Sequence, residues 1–408
     1  MKRFLLPALF SALTVCSYAQ QSAMRATRPT VNYLENRSIS RLADHPVAVA
    51  PKKKSGGHTR NLSAIQLGAS GNAFTALRGE NNCLSANQDL NTVVFIHRNN
   101  PADFPENTVS QYRYDISTDG GQTFTLNQGP LNPLADEQVG GVNARYPQAW
   151  IYNPAGNTDP ANAWLAYLGA WHDNTNATSN AIWNGITYGM MRLNNDTATS
   201  TEHTPTTDNG NVQIATSMAA GLPGEYWAVD NEYSGSTNDS MIIVYKGIVN
   251  GAGNDIDWQV FTKLNPHYVV LHTAGADDST FAGIPVISFD PSGMHGWICI
   301  AADVLGNFNN TPVFYSTNNG GATWSPTTMN VDLAQNDTVM ANLISPAFDP
   351  TVLEYDLVVD KNGDPHLGMV CSAGDSTQHG HYYPYYVDLY DLTYSNSVWS
   401  VTHIDTID

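Results

Sequence analysis

Short runs of β-branched and aromatic residues alternate along this chain with clusters of Asn, Gly, Asp, Ser and Thr. Residues 93–97 (Val-Val-Phe-Ile-His), 241–245 (Met-Ile-Ile-Val-Tyr) and 297–300 (Trp-Ile-Cys-Ile) are apolar runs of strand length, built from side chains that suit a pleated surface. The polar clusters between them supply turn chemistry. Helical periodicity is almost absent. Sustained over ~350 residues, this pattern predicts an all-β protein, as a sandwich, a barrel or a propeller.

Internal repetition separates these. Residues 287–293 (Ile-Ser-Phe-Asp-Pro-Ser-Gly) precede an apolar run at 296–301, and residues 357–363 (Leu-Val-Val-Asp-Lys-Asn-Gly) precede one at 367–371. Each reads as strand, Asp-x-x-Gly turn, strand. Weaker relatives stand at 150–156 and 226–231, and a further unit opens near Asp89. Five units at roughly the 40–70-residue spacing of blades with loop insertions predict a β-propeller of four-stranded antiparallel blades. Residues 63–80 are expected to add a strand or a partial sixth blade, so the domain is placed at 63–408.

Two octapeptides narrow the reading. Ser117-Thr118-Asp119-Gly120-Gly121-Gln122-Thr123-Phe124 fits the pattern Ser-x-Asp-x-Gly-x-Thr-aromatic, and Thr317-Asn318-Asn319-Gly320-Gly321-Ala322-Thr323-Trp324 repeats it with Asn319 in the Asp position. The expected logic is a hairpin turn. The Asp or Asn side chain accepts backbone N–H groups, Gly relieves a left-handed backbone, and the ring packs beneath. These segments resemble the Asp boxes (BNR repeats) of sialidase-like β-propellers. The resemblance implies a propeller with Ser117, Asp119, Gly121, Thr123 and Phe124, and Thr317, Asn319, Gly321, Thr323 and Trp324, in structural turns on the outer rim. It does not carry the activity over, because fold does not imply function. Sialidases of this kind grip a carboxylate with three arginines, the first in Arg-Ile-Pro. This chain has no Arg-Ile-Pro and no arginine after Arg192. No catalytic residue is assigned.

The first nineteen residues read as an export signal. Lys2 and Arg3 open it, residues 4–15 are apolar, and Ser17-Tyr18-Ala19 offers a small-x-small cleavage site. Cys16 raises lipidation as a rival, although Val15 before it is not small. The expectation is a secreted or cell-surface protein, with type IX secretion as a candidate route and no later run of the ~20 apolar residues that a spanning helix needs. Residues 20–62 hold eight basic side chains against Glu35 and Asp44 and read as a basic flexible leader. Residues 63–408 hold eight bases against thirty-five acids. A body that acidic excludes nucleic acid as a partner. Three cysteines remain after the signal, Cys83, Cys299 and Cys371, and buried free thiols are expected of them.

Candidate chemistry is sparse. Trp171-His172-Asp173 sets a ring beside an acid–base group, a composition that suits a sugar platform, although an aromatic packing at a blade edge with a turn Asp is the preferred reading. His379, His381 and Tyr382 lie in a stretch of His and Tyr suited to metal ligation or sugar stacking, or to a Tyr-rich strand. No metal site is assigned. Asp360-Lys361-Asn362-Gly363-Asp364 has spaced oxygens but lacks the rest of a calcium loop, so no cofactor is expected. The leading expectation is a non-catalytic propeller that binds a glycan or a cell-surface protein. The alternatives are a glycoside hydrolase acting on a neutral sugar through an Asp/Glu pair, and a structural module of a surface assembly.

Overall fold

The structure, a computed structural model, describes residues 64–71, 81–135, 142–173, 182–204, 215–231, 241–267, 283–304, 309–325, 329–344, 348–374 and 382–407. The signal, the leader, His379 and His381 lie outside them. Among the described residues nineteen strands form five antiparallel sheets. Blade 1 holds β1 (Leu84–Asn87), β2 (Thr92–Arg98), β3 (Tyr112–Ser117) and β4 (Thr125–Gln128). Blade 2 holds β5 (Val142–Tyr152), β6 (Trp164–Asp173) and β7 (Ile182–Arg192), and blade 3 holds β8 (Ser217–Ala220), β9 (Glu225–Asn231), β10 (Ile242–Val249) and β11 (Ile256–Leu264). Blade 4 is β12 (Val286–Phe289), β13 (Gly296–Ala302), β14 (Thr311–Thr317) and β15 (Met329–Asn330). Blade 5 is β16 (Asp349–Val359), β17 (Pro365–Gly374), β18 (Tyr382–Ser395) and β19 (Val398–Ile407). Within each sheet the strands pair in chain order. The protein is an all-β propeller.

Hydrogen bonds between the first strands fix how the blades stand. Ile151 N–H donates to Ser85 Oγ at 3.0 Å, Ile287 N–H to Ser217 Oγ at 3.2 Å, and Val359 N–H to Ser288 Oγ at 3.2 Å. Partners advance together along both strands, as Asn82–Gln148 and Ser85–Ile151 do, so neighbouring first strands run parallel. All blades therefore point the same way around the axis.

The apolar cores lie between blades. One cluster joins blades 1 and 2 through Ile96, Tyr114, Leu165 and Tyr167; others join 2 with 3, 3 with 4 and 4 with 5. A middle strand is thus covered on both faces, which is why β13 reads Gly-Trp-Ile-Cys-Ile-Ala-Ala and is buried throughout. Fully burying one such Ile or Val contributes about 1.5–3 kcal/mol. Outer strands answer to solvent instead, and β19 alternates half-buried with exposed positions over its first six residues. Cys83, Cys299 and Cys371 are buried thiols outside any disulfide, as expected.

Three expectations take a closer form. Of residues 63–80 the structure describes 64–71, which form no strand; Gly68 N–H donates to Asp115 Oδ2 at 2.7 Å, tying the segment to blade 1. The unit read at 226–231 is the second strand of blade 3. Its first strand, Ser-Met-Ala-Ala, is too short and small-sided to announce itself. Blade 1 starts at Leu84, ahead of Asp89, which falls in the first hairpin turn.

Candidate functional site

With all blades pointing one way, the molecule has two unlike faces. One carries the first-to-second and third-to-fourth strand turns. There Asp290 Oδ1 accepts the N–H groups of Met294 and His295, each at 3.1 Å, and Asp360 Oδ1 accepts those of Asn362 at 2.8 Å and Asp364 at 3.0 Å. These are the Asp-x-x-Gly turns read from the sequence, closed by a carboxylate that satisfies the backbone.

The two octapeptides form third-to-fourth turns on this same face. Ser117 Oγ donates to Asp119 Oδ1 at 2.7 Å and accepts the Gly121 N–H at 2.8 Å, while Thr123 N–H donates to Asp119 Oδ1 at 2.9 Å. Thr317 Oγ1 donates to Asn319 Oδ1 at 2.8 Å and accepts the Gly321 N–H at 3.1 Å, with Thr323 N–H on Asn319 Oδ1 at 3.0 Å. Both Gly pairs have positive φ. The Trp324 ring meets Trp227 and Phe289 edge-on, while Phe124 is half-buried.

The opposite face carries the second-to-third connections and the crossovers between blades. Asp173 ends β6, and His172 stands before it, paired in register with Asn143 and Trp183. Trp171 is buried, in register with Ala144 and Gly185. Tyr382 opens β18 opposite Gly374. His379 and His381 fall in the connection just before it, outside the described residues. By strand order, both candidate clusters belong to second-to-third connections, one in blade 2 and one in blade 5. They share a face.

The arginines of this region serve a loop. Arg113 Nε donates to Asn99 Oδ1 and an Nη to Asn107 Oδ1, both at 2.6 Å, and its guanidinium lies 3.6 Å from the Phe104 ring centroid. Arg98 Nε donates to Val109 O at 2.9 Å, and an Arg145 Nη to Ser110 Oγ at 2.9 Å. The three gather around residues 99–111, on protein acceptors. Burial lowers the Arg113 pKa, with Glu106 working against it. Beneath this loop Asp115 is pushed up by burial, yet His97 and the N–H groups of Asn127 and Gly68 outweigh that and hold it low.

Neutral polar groups link the first strands of blades 1 to 3, while the first strand of blade 5 carries Glu354 and Asp356, and burial raises the Asp356 pKa above its ordinary 3.8. Asn82 N–H donates to Gln148 Oε1 at 3.3 Å, and its Nδ2 reaches past blade 2 to Met218 O of blade 3 at 3.0 Å. Trp150 Nε1 donates to the same oxygen at 3.0 Å, and Gln148 Nε2 to Ala215 O at 2.7 Å. The Asn82 side chain thus bonds blade 1 to the non-neighbouring blade 3. Sequence reasoning missed this cluster, because paired Asn residues ahead of a short strand look like a turn. No group of three or more metal-ligating side chains occurs among the described residues.

No protein-family profile matches the chain, and no curated protein matches it. Similar solved structures are β-propeller enzymes. A polysaccharide lyase is 11% identical over 86% of each chain, with a TM-score of 0.41. A thermostable family-43 glycoside hydrolase is 9% identical over 79% of this chain and 92% of its own, with a TM-score of 0.36. An intramolecular trans-sialidase from Ruminococcus gnavus is 11% identical over 67% of this chain and 48% of its own, with a TM-score of 0.34.

Proposed function

We propose that this chain is an exported, non-catalytic propeller that binds a neutral glycan or a glycan-bearing surface partner on the face of its second-to-third connections. The observation that carries the reading is the common blade direction. With that direction, the β6 end at Asp173 and the β18 start at Tyr382 point to the face opposite the self-satisfied Asp and Asn turns. Arg113 is already committed to Asn99 and Asn107, which speaks against a carboxylate-bearing sugar.

The test is a glycan array with purified full-length protein, beside turnover assays on neutral α- and β-glycosides and a sialoside. Binding to neutral glycans without turnover is expected. It should weaken at least tenfold in His172→Ala/Asp173→Ala and in His379→Ala/His381→Ala, with melting temperatures unchanged. Sialoside turnover in a clean preparation would sink the reading. Turnover of a neutral glycoside would replace it with the hydrolase alternative.

A further inference from the structure

Residues 200–203 complete blade 2 without forming a full strand. Thr201 N–H donates to Met190 O at 2.9 Å and His203 N–H to Tyr188 O at 2.8 Å. Alternation along an extended segment sends neighbouring side chains to opposite sides. His203 turns toward blade 3, where Nε2 lies 3.0 Å from both Asp255 oxygens and the ring stacks on Tyr188. Glu202 turns toward blade 1, where its Oε2 accepts the Leu134 N–H at 2.7 Å.

That N–H belongs to the Pro133–Leu134 peptide, whose other edge is also held: Gln111 Nε2 donates to Pro133 O at 3.0 Å. Ser200 Oγ donates to Leu131 O at 2.5 Å. Residues 129–135 begin the crossover from β4 to β5, and Leu131 and Asn132 are fully buried within it. The outermost segment of blade 2 thus grips the crossover out of blade 1.

The grip has a weak point. Glu202 Oε1 is buried and has no hydrogen-bond partner among the described residues. An ionised carboxylate there would be stripped of water while holding a single N–H. Burial is the main influence and raises the pKa from 4.5 to about 7, against smaller downward pulls from the Leu134 N–H and His203. The other ionisable groups facing it are Tyr112 from β3 and Tyr167 from β6. Both are held neutral by burial, and they donate to Arg145 O and Thr201 O. Arg98 and Arg145 act on Tyr112, and Asp255 faces His203 and Tyr167.

We propose that Glu202 is a proton-held latch on the crossover between blades 1 and 2, closed while its carboxyl keeps a proton and opening to water when that proton leaves for solvent. This goes beyond the binding reading and does not depend on it. A raised carboxyl pKa means that the closed form binds the extra proton between 4.5 and about 7. The latch is therefore tightest below 4.5, loosens as pH rises toward about 7, and loosens no further above that.

Amide hydrogen exchange on the full chain, corrected for intrinsic rates, tests this. Peptides covering 129–135 and 186–203 should lose protection about tenfold per pH unit between about pH 5 and about pH 7, then level off. Peptides from blades 4 and 5 serve as the internal standard. Glu202→Gln should abolish the slope, and His203→Gln should keep it. A wild-type protein with pH-independent protection overturns the proposal, and so does a slope that survives Glu202→Gln. If Glu202→Gln fails to fold, the wild type and His203→Gln still decide, because loss of the slope in His203→Gln assigns it to the Asp255 pair.

Discussion

The turns at 117–124 and 317–324 share a sequence pattern and a hydrogen-bond plan, yet they sit in different surroundings. A Cβ on Gly321 would lie 2.4 Å from the Trp227 ring, whereas one on Gly121 would meet only Val93, at 3.9 Å. Trp324 joins a cluster with Trp227 and Phe289 that spans blades 3 and 4. In the first turn Thr123 Oγ1 donates to the Asp119 carboxylate at 2.6 Å; in the second the direction reverses, and Asn319 Nδ2 donates to Thr323 Oγ1 at 2.8 Å. The local pattern makes the turn. Neighbouring blades decide what the turn supports.

Replacing the second Gly of each turn should separate these contributions most sharply. Both have positive φ, +88° at Gly121 and +80° at Gly321, so Ala costs about 1–2 kcal/mol of backbone strain at either. At Gly321 the methyl also displaces a fully buried indole, and overpacking of that kind adds about 1–3 kcal/mol. Gly321→Ala should therefore destabilise by about 3 kcal/mol in urea unfolding, and Gly121→Ala by about half as much. Equal losses would show that the packing around Trp227 yields freely.

That asymmetry also marks what the sequence could reveal. The Asp-x-x-Gly turns and octapeptides were legible because each is a local hydrogen-bond solution, written within eight residues. Strand β13 was legible because burial on both faces removes polar residues. Blade 3 was misread by one strand because β8 offers only Ser-Met-Ala-Ala. Its place is set by Ser217 Oγ, which accepts the Ile287 N–H seventy residues away. The matching pairs, Ser85 with Ile151 and Ser288 with Val359, repeat at similar spacing and were a signal open to being found. The contacts of Asn82 with Met218 and of Glu202 with Leu134 carry no local signature, since each joins separate blades or the chain between them.

The hydroxyl at the head of each turn offers a smaller and more symmetric test. Ser117 and Thr317 are nearly buried, and each accepts a Gly N–H while donating to the central Asp or Asn. Ser117→Ala and Thr317→Val should each cost about 1–2 kcal/mol, because a partly buried N–H loses its acceptor. The two losses should agree closely, since the packing of Trp324 is untouched. A large gap between them would mean that the shared hydrogen-bond plan is not the common element.

The smallest effect separates the turns by pH. Hydrogen bonds from Ser117 and Thr123, with the Thr123 N–H, hold the Asp119 carboxyl well below its ordinary 3.8. A depressed carboxyl contributes stability that is fully present above the ordinary value and is lost as pH falls below it. Asn319 has no proton to gain in that range, so the second turn should pass through acid unchanged. Exchanging the residues exchanges the behaviour. Asp119→Asn should flatten part of the acid limb of the stability curve, and Asn319→Asp should steepen it, both below pH 3.8 and neither near neutrality. The carboxylate at 319 would also turn the Thr323 hydroxyl from acceptor to donor, as at Thr123. Thermal melts of both variants from neutral pH downward read the result. If Asp119→Asn keeps the wild-type acid limb, the turn does not hold the carboxylate in the folded state, and the hydrogen bonds at Asp119 contribute geometry without linkage.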